Sequence, residues 1–221
     1  MAEASEERPL GLMIPPVPLG VEIPPEPADV GARALYIAGR LLAGATTFFF
    51  LAFVFAYFYL RSLNQNHLWR PPHIGPEQGY GVAIVLCLVA SAALLIVAGR
   101  SMGREQSTWL RPAGLALLLG LAAVVLQCLE WTTQDFGPTD GAYASVFVGW
   151  TAFYTIGLLG ALFWLETHVA TELRARRSPA ALDGDIASPD RLIKPGLDAT
   201  VFYWSFLVGI GVLTYVVLYL V

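Results

Sequence analysis

The 221-residue chain is 56% hydrophobic and only 14% charged, where a soluble domain carries about 25% charged residues. With a mean hydropathy of +0.61, these proportions exclude a soluble globular domain or a nucleic-acid binder. They describe an all-α integral membrane protein, and the formal net charge of −4 resides in its tails and loops. Cys87 and Cys128 both fall inside apolar segments and read as reduced packing residues, not a disulfide or metal pair. The N-terminus has no basic run leading into an apolar one, so no cleaved signal peptide is expected.

Residues 1–32 hold Pro9, Pro15, Pro16, Pro18, Pro24, Pro25 and Pro27, a density that opposes helix and favours extended chain. This reads as an N-terminal arm, either a free tail or a strap laid across a neighbouring subunit. Residues 33–221 read as the membrane domain. A first span is expected at 35–60, longer than the ~20 residues a bilayer requires. It ends in the aromatic run Phe55, Ala56, Tyr57, Phe58, Tyr59 and the cation Arg61. A polar connection over 62–79 follows, with Trp69 expected as an anchor at headgroup level. His67 and His73 lie there without the further ligands a metal site needs. Further spans are expected at 80–98, 112–132, 142–173 and 199–221, the stretch 174–198 reading as a solvated loop. Glu166 and His168 read as boundary residues near the end of the fourth span. The small residues Ala52, Ala56, Gly149, Ala152, Gly157 and Gly160 are expected to mediate close helix contacts.

Alternating the connections between two sides puts eleven Lys and Arg with the N-terminus and only Arg61 and Arg70 on the other side. The positive-inside rule then predicts a cytoplasmic N-terminus and a C-terminus outside, in the cell (inner or plasma) membrane.

The third span carries the most informative polar pair. Gln127 and Glu130 are three residues apart and share a helical face. A carboxylate at the centre of a membrane helix costs about 2.5–3.5 kcal/mol. Either Glu130 snorkels at the lipid–water boundary, or the pair faces protein, bound lipid or a polar cavity. Hydroxyl donors across the following turn, Tyr143 and Ser145, are the expected partners, with a lipid headgroup as the alternative. The sequence has no His or Cys pattern suited to haem or copper and no hydrolase, metalloprotease or phosphate-loop motif. No catalytic, cofactor or metal residues are therefore assigned.

The stretch Gln127-x-x-Glu130-Trp131, followed by Asp140, Gly141, Tyr143, Ser145 and Phe147, resembles subunit III of the haem–copper cytochrome c oxidases. Phe55–Phe58, the loop Trp69-Arg70-Pro71-Pro72, and Phe202-Tyr203-Trp204 with Phe206 and Tyr219 look like further motifs of that family. The resemblance covers about residues 35–221 and implies the five-helix form, which lacks the first two helices of the seven-helix form. It implies a non-catalytic subunit packed beside catalytic subunit I and other respiratory subunits. Haem and copper would reside in those partners, while this chain would hold phospholipid and support proton uptake and turnover stability. Gln127, Glu130, Tyr143 and Ser145 are then polar residues of the lipid cleft or of helix packing. The chain departs from the family pattern at four places. Thr47 stands where a glutamate is usual. Tyr154 and Gly157 stand at two histidine positions, and Ser205 at a third. These departures keep open a subunit-III-like accessory protein of a nitric oxide reductase. A free-standing transporter or scaffold is a third reading.

Overall fold

The computed structural model describes residues 28–63, 69–71, 74–102, 108–177 and 190–221. It is all-helical: α1 (Ala28–Ser62), α2 (Gln78–Met102), α3 (Leu110–Thr133), α4 (Ala142–Arg177) and α5 (Asp190–Tyr215), the last continuing into a π-helical turn, Val216–Leu220. Among the described residues five helices are long and apolar enough to cross a membrane.

Two boundaries differ most from the sequence reading, while α2 and α4 each run four residues further than expected, to Met102 and Arg177. α1 starts at Ala28, directly after the last proline of the arm; Asp29, in its first turn, pairs with Arg33 one turn on at 3.3 Å. Residues 1–27 of the arm, with His67 and His73, lie outside the described residues. α5 starts at Asp190, nine residues before the expected span, and absorbs Pro195. The proline removes one backbone donor, but Ile193 and Leu197, one turn apart, are both buried. Their apolar contacts offset the lost bond.

α5 lies at the centre, packed against α1, α2 and α4, while α3 packs between α2 and α4. α1 is peripheral: Phe48, Phe55 and Leu41 are each more than two-thirds exposed, which leaves its outer face to lipid or to a neighbouring subunit. Its inner stripe is aromatic. Phe50 and Phe53 meet Trp150 on α4 with ring centroids 6.2 and 5.9 Å apart.

The expected small-residue contacts are redistributed. Gly157 and Gly160 face open space and Ala52 is exposed. Gly149 meets only the Phe53 ring, at ordinary contact distance. The close approaches occur elsewhere. A Cβ on Gly120 would lie 2.6 Å from the end of the Leu162 side chain and 3.0 Å from the Trp204 ring, so a larger residue there would have to displace Leu162 and press on Trp204. Spacing shows which residues are small, but a neighbouring helix decides which of them are approached.

Trp69 is not an exposed anchor. It is 7% exposed, with its ring edge-on to Tyr57 and Tyr143 at 5.1 and 5.8 Å. Its carbonyl accepts the Tyr143 amide at 3.2 Å. Residues 69–71 thus lie over the bundle end, with the indole buried between α1 and α4.

Candidate functional site

Chain alternation brings the C-terminal ends of α1, α3 and α5 and the N-terminal ends of α2 and α4 to one end of the bundle. The last residues of a helix leave carbonyls without intrahelical donors. Here side chains from three other helices supply them. Tyr143 of α4 donates to the Leu218 carbonyl at 2.5 Å, Gln78 of α2 to that of Tyr219 at 2.7 Å, and Arg61 of α1 to the Val221 oxygen at 2.8 Å.

The fourth helix, α3, contributes Gln127 and Glu130. Both are buried, Glu130 to 1% exposure. The Gln127 amide donates to Glu130 Oε2 at 2.8 Å, and the Tyr219 hydroxyl donates to Oε1 and Oε2 at 2.7 and 2.6 Å. The carboxylate therefore faces protein, supplied with donors in place of water. The π-helical turn seats the Tyr219 ring over Gly81 of α2, where a Cβ would come within 2.6 Å of it.

Of the four polar residues singled out in the sequence, only Gln127 and Glu130 bond to each other. Tyr143 belongs to the same helix-end cluster but holds the Leu218 carbonyl, and Ser145 turns to the Pro138 and Gly141 carbonyls at 2.5 and 3.1 Å. The expected donors across the turn are thus engaged by backbone. Asp140 accepts the Gly137 amide at 2.6 Å, and Gly141 takes a φ of 148° that leads into α4. The sequence reading missed Tyr219 as the partner of Glu130, together with Gln78 and Arg61. One signal for Tyr219 was available: α3 and α5 run in the same direction, and both side chains sit in the last turn of their helices.

Glu130 also lines a cavity of about 310 Å³ with Gly75, Glu77, Thr133, Gln134, Asp135 and Phe136. At the opposite end of the bundle a cavity of about 480 Å³ lies between α1 and α5, lined by Tyr36, Arg40, Lys194, Asp198 and Phe202 among others. The Arg40 guanidinium lies 3.3 Å from the Tyr36 ring centroid and 4.6 Å from that of Phe202.

The positions that depart from the resembled family are satisfied within the bundle. Thr47 and Ser205 donate to carbonyls one turn back, those of Ala43 and Val201. Tyr154 reaches from α4 to the Leu207 carbonyl of α5 at 2.9 Å. Among the described residues no three His, Cys, Asp or Glu side chains form a metal-binding group.

These features define a multi-pass helical membrane protein in which Glu130, the most buried carboxylate among the described residues, serves as a junction of helices. No family model matches the chain. Its curated relatives include cytochrome c oxidase subunit 3 of Cyprinus carpio, 25% identical over 185 residues, which make up 81% of this chain and 66% of the carp protein. Subunit 3 of Mus musculus is 26% identical over 82% of this chain and 67% of its own length. That of Xenopus laevis is 30% identical over 56% and 50% respectively. The chain thus spans about two-thirds or less of the length of these relatives.

Proposed function

We propose that this chain is a divergent five-helix form of cytochrome c oxidase subunit III. In this reading it is a non-catalytic subunit of a terminal oxidase in aerobic respiratory electron transport. The observation that carries the reading is its similarity, across four-fifths of its length, to proteins named cytochrome c oxidase subunit 3. The chain packs beside catalytic subunit I in the cell membrane, with its N-terminus cytoplasmic and its C-terminus outside. It transfers no electrons; haem and copper belong to the partner subunits. The Pro-rich arm, residues 1–27, lies against a neighbouring subunit on the cytoplasmic side.

Holding phospholipid belongs to the same reading. The cavity between α1 and α5 supports it, because Arg40 and Lys194 can take a phosphate and Asp198 an ammonium at headgroup depth. Bound lipid and the packed bundle would steady proton uptake and protect the catalytic subunit during turnover. The departures at Thr47, Tyr154, Gly157 and Ser205 favour a second reading, an accessory protein of a nitric oxide reductase.

Purification through a tag on this chain in mild detergent tests both readings. Haem absorbance should follow the tag, and the preparation should consume oxygen. A haem enzyme that reduces nitric oxide selects the second reading. A tagged chain free of haem overturns both and points to a transporter or scaffold. Removing residues 1–27, which leaves α1 whole, should weaken retention in the complex without unfolding the bundle.

A further inference from the structure

Glu130 is both the most deeply buried carboxylate among the described residues and a wall of a polar cavity. Every hydrogen bond the structure gives its side chain is donated to it: Oε2 receives Gln127 Nε2 and the Tyr219 hydroxyl, and Oε1 receives the Tyr219 hydroxyl. This arrangement suits an acceptor with no proton of its own. A proton added to either oxygen turns that atom into a donor. The Gln127 amide nitrogen cannot accept from it; the Tyr219 hydroxyl oxygen can, but a charge-assisted bond is then exchanged for a neutral and weaker one. The same Tyr219 sits in the π-helical turn whose Leu218 and Tyr219 carbonyls Tyr143 and Gln78 hold, with Arg61 on the Val221 oxygen just beyond it. A change at Glu130 is therefore felt by the segment that α1, α2 and α4 also grip.

We propose that Glu130 exchanges a proton with the aqueous phase through this cavity, and that protonation loosens the C-terminal turn from α3. The step is a simple transfer. Water-borne H⁺ bonds to a lone pair of a carboxylate oxygen, the charge-assisted bond with Tyr219 becomes a neutral one, and nothing is oxidised or reduced. Thr133, Gln134, Asp135 and Glu77 give the cavity beside Glu130 a polar lining. The titratable and charged groups around Glu130 come from every packed element. They are Glu77 ahead of α2, Asp135 after α3, Tyr143 on α4, Tyr219 at the end of α5, and Arg70, whose guanidinium lies 4.7 Å from the Tyr143 ring centroid. Tyr143 and Gln78 still hold the turn after protonation, so it loosens without detaching. The inference does not depend on which complex the chain joins.

The test uses the full chain in lipid nanodiscs, taken stepwise from alkaline to acid pH. Infrared spectra follow the protonated-carboxyl band, and hydrogen exchange with mass spectrometry follows the amides of residues 214–221. The expected result is a carboxyl band that grows as pH falls, shifts on transfer to D₂O and is missing in Glu130→Gln. Protection of the turn, corrected for intrinsic exchange, should fall in step with it. Glu130→Gln should keep the turn loosened at every pH. Tyr219→Phe should retain the carboxyl band but lose the link between the band and protection. That second variant decides the matter if Glu130→Gln does not fold. A band insensitive to D₂O, no Glu130-dependent band at any pH where the bundle stays folded, or protection that ignores the band overturns the proposal.

Discussion

The Tyr219 hydroxyl bridges both carboxylate oxygens of Glu130, at 2.7 and 2.6 Å, across 89 residues of sequence. This contact ties α3 to the last turn of the bundle and gives a buried carboxylate the donors that water would otherwise supply. Tyr219→Phe removes the donor and keeps the ring. It should lower stability by about 1–2 kcal/mol, between the worth of a charge-assisted bond in soluble proteins and the smaller average in membrane proteins. Glu130→Leu should cost more, because both the Tyr219 hydroxyl and the Gln127 amide then lose their acceptor. Reversible unfolding in mixed micelles measures both. If the chain is an oxidase subunit, Glu130→Leu should also be lost from the complex in detergent while haem content holds.

Gly81→Ala tests the same contact from the other side. Its methyl would press on the Tyr219 ring, where a Cβ lies 2.6 Å from the nearest ring atom. The ring is fixed by its hydroxyl, so the substitution should cost about 1–3 kcal/mol through overpacking. Gly160→Ala meets nothing within 4 Å and should be neutral or stabilising by up to about 1 kcal/mol from helix propensity. Thermal melts of the two variants should move in opposite directions or differ clearly in size.

Thr214 accepts the Trp150 indole N–H at 2.9 Å inside the bundle and donates back to the Ile210 carbonyl. Thr214→Val keeps the shape and leaves a buried indole donor unpaired, at a cost of about 1–3 kcal/mol. Thr200 donates only to the Gly196 carbonyl one turn back, so Thr200→Val should cost well under half as much. The difference between the two unfolding free energies isolates the bond between α4 and α5.

The orientation proposed from charge is checked by labelling. Asp135, beyond the end of α3, and Arg174, near the end of α4, are both exposed and lie at opposite ends of the bundle. With Cys87 and Cys128 replaced by serine, Asp135→Cys should react with an impermeant maleimide from outside sealed membranes. Arg174→Cys should react only after the membranes are opened. The reverse pattern would invert the topology.

Composition and hydropathy were enough to specify five membrane helices, because a span must be continuous, apolar and about 20 residues long, and those are properties of sequence windows. The pairing of Gln127 with Glu130 was legible for a similar local reason: three residues on a helix define a shared face. The start of α5 was not legible, since Lys194, Pro195 and Asp198 read as loop until burial of Ile193 and Leu197 is known. Nor could local pattern rank the glycines: Gly120 and Gly81 meet a neighbouring helix, while Gly157 and Gly160 meet none. The partner of Glu130 was likewise a tertiary outcome. Tyr143 and Ser145 were nearer in sequence, but backbone carbonyls at the C-terminal turn and at the turn before α4 engaged them. Tyr219 reached the carboxylate because five helix ends converge on one short π-helical turn, and only the packed bundle brings those ends together.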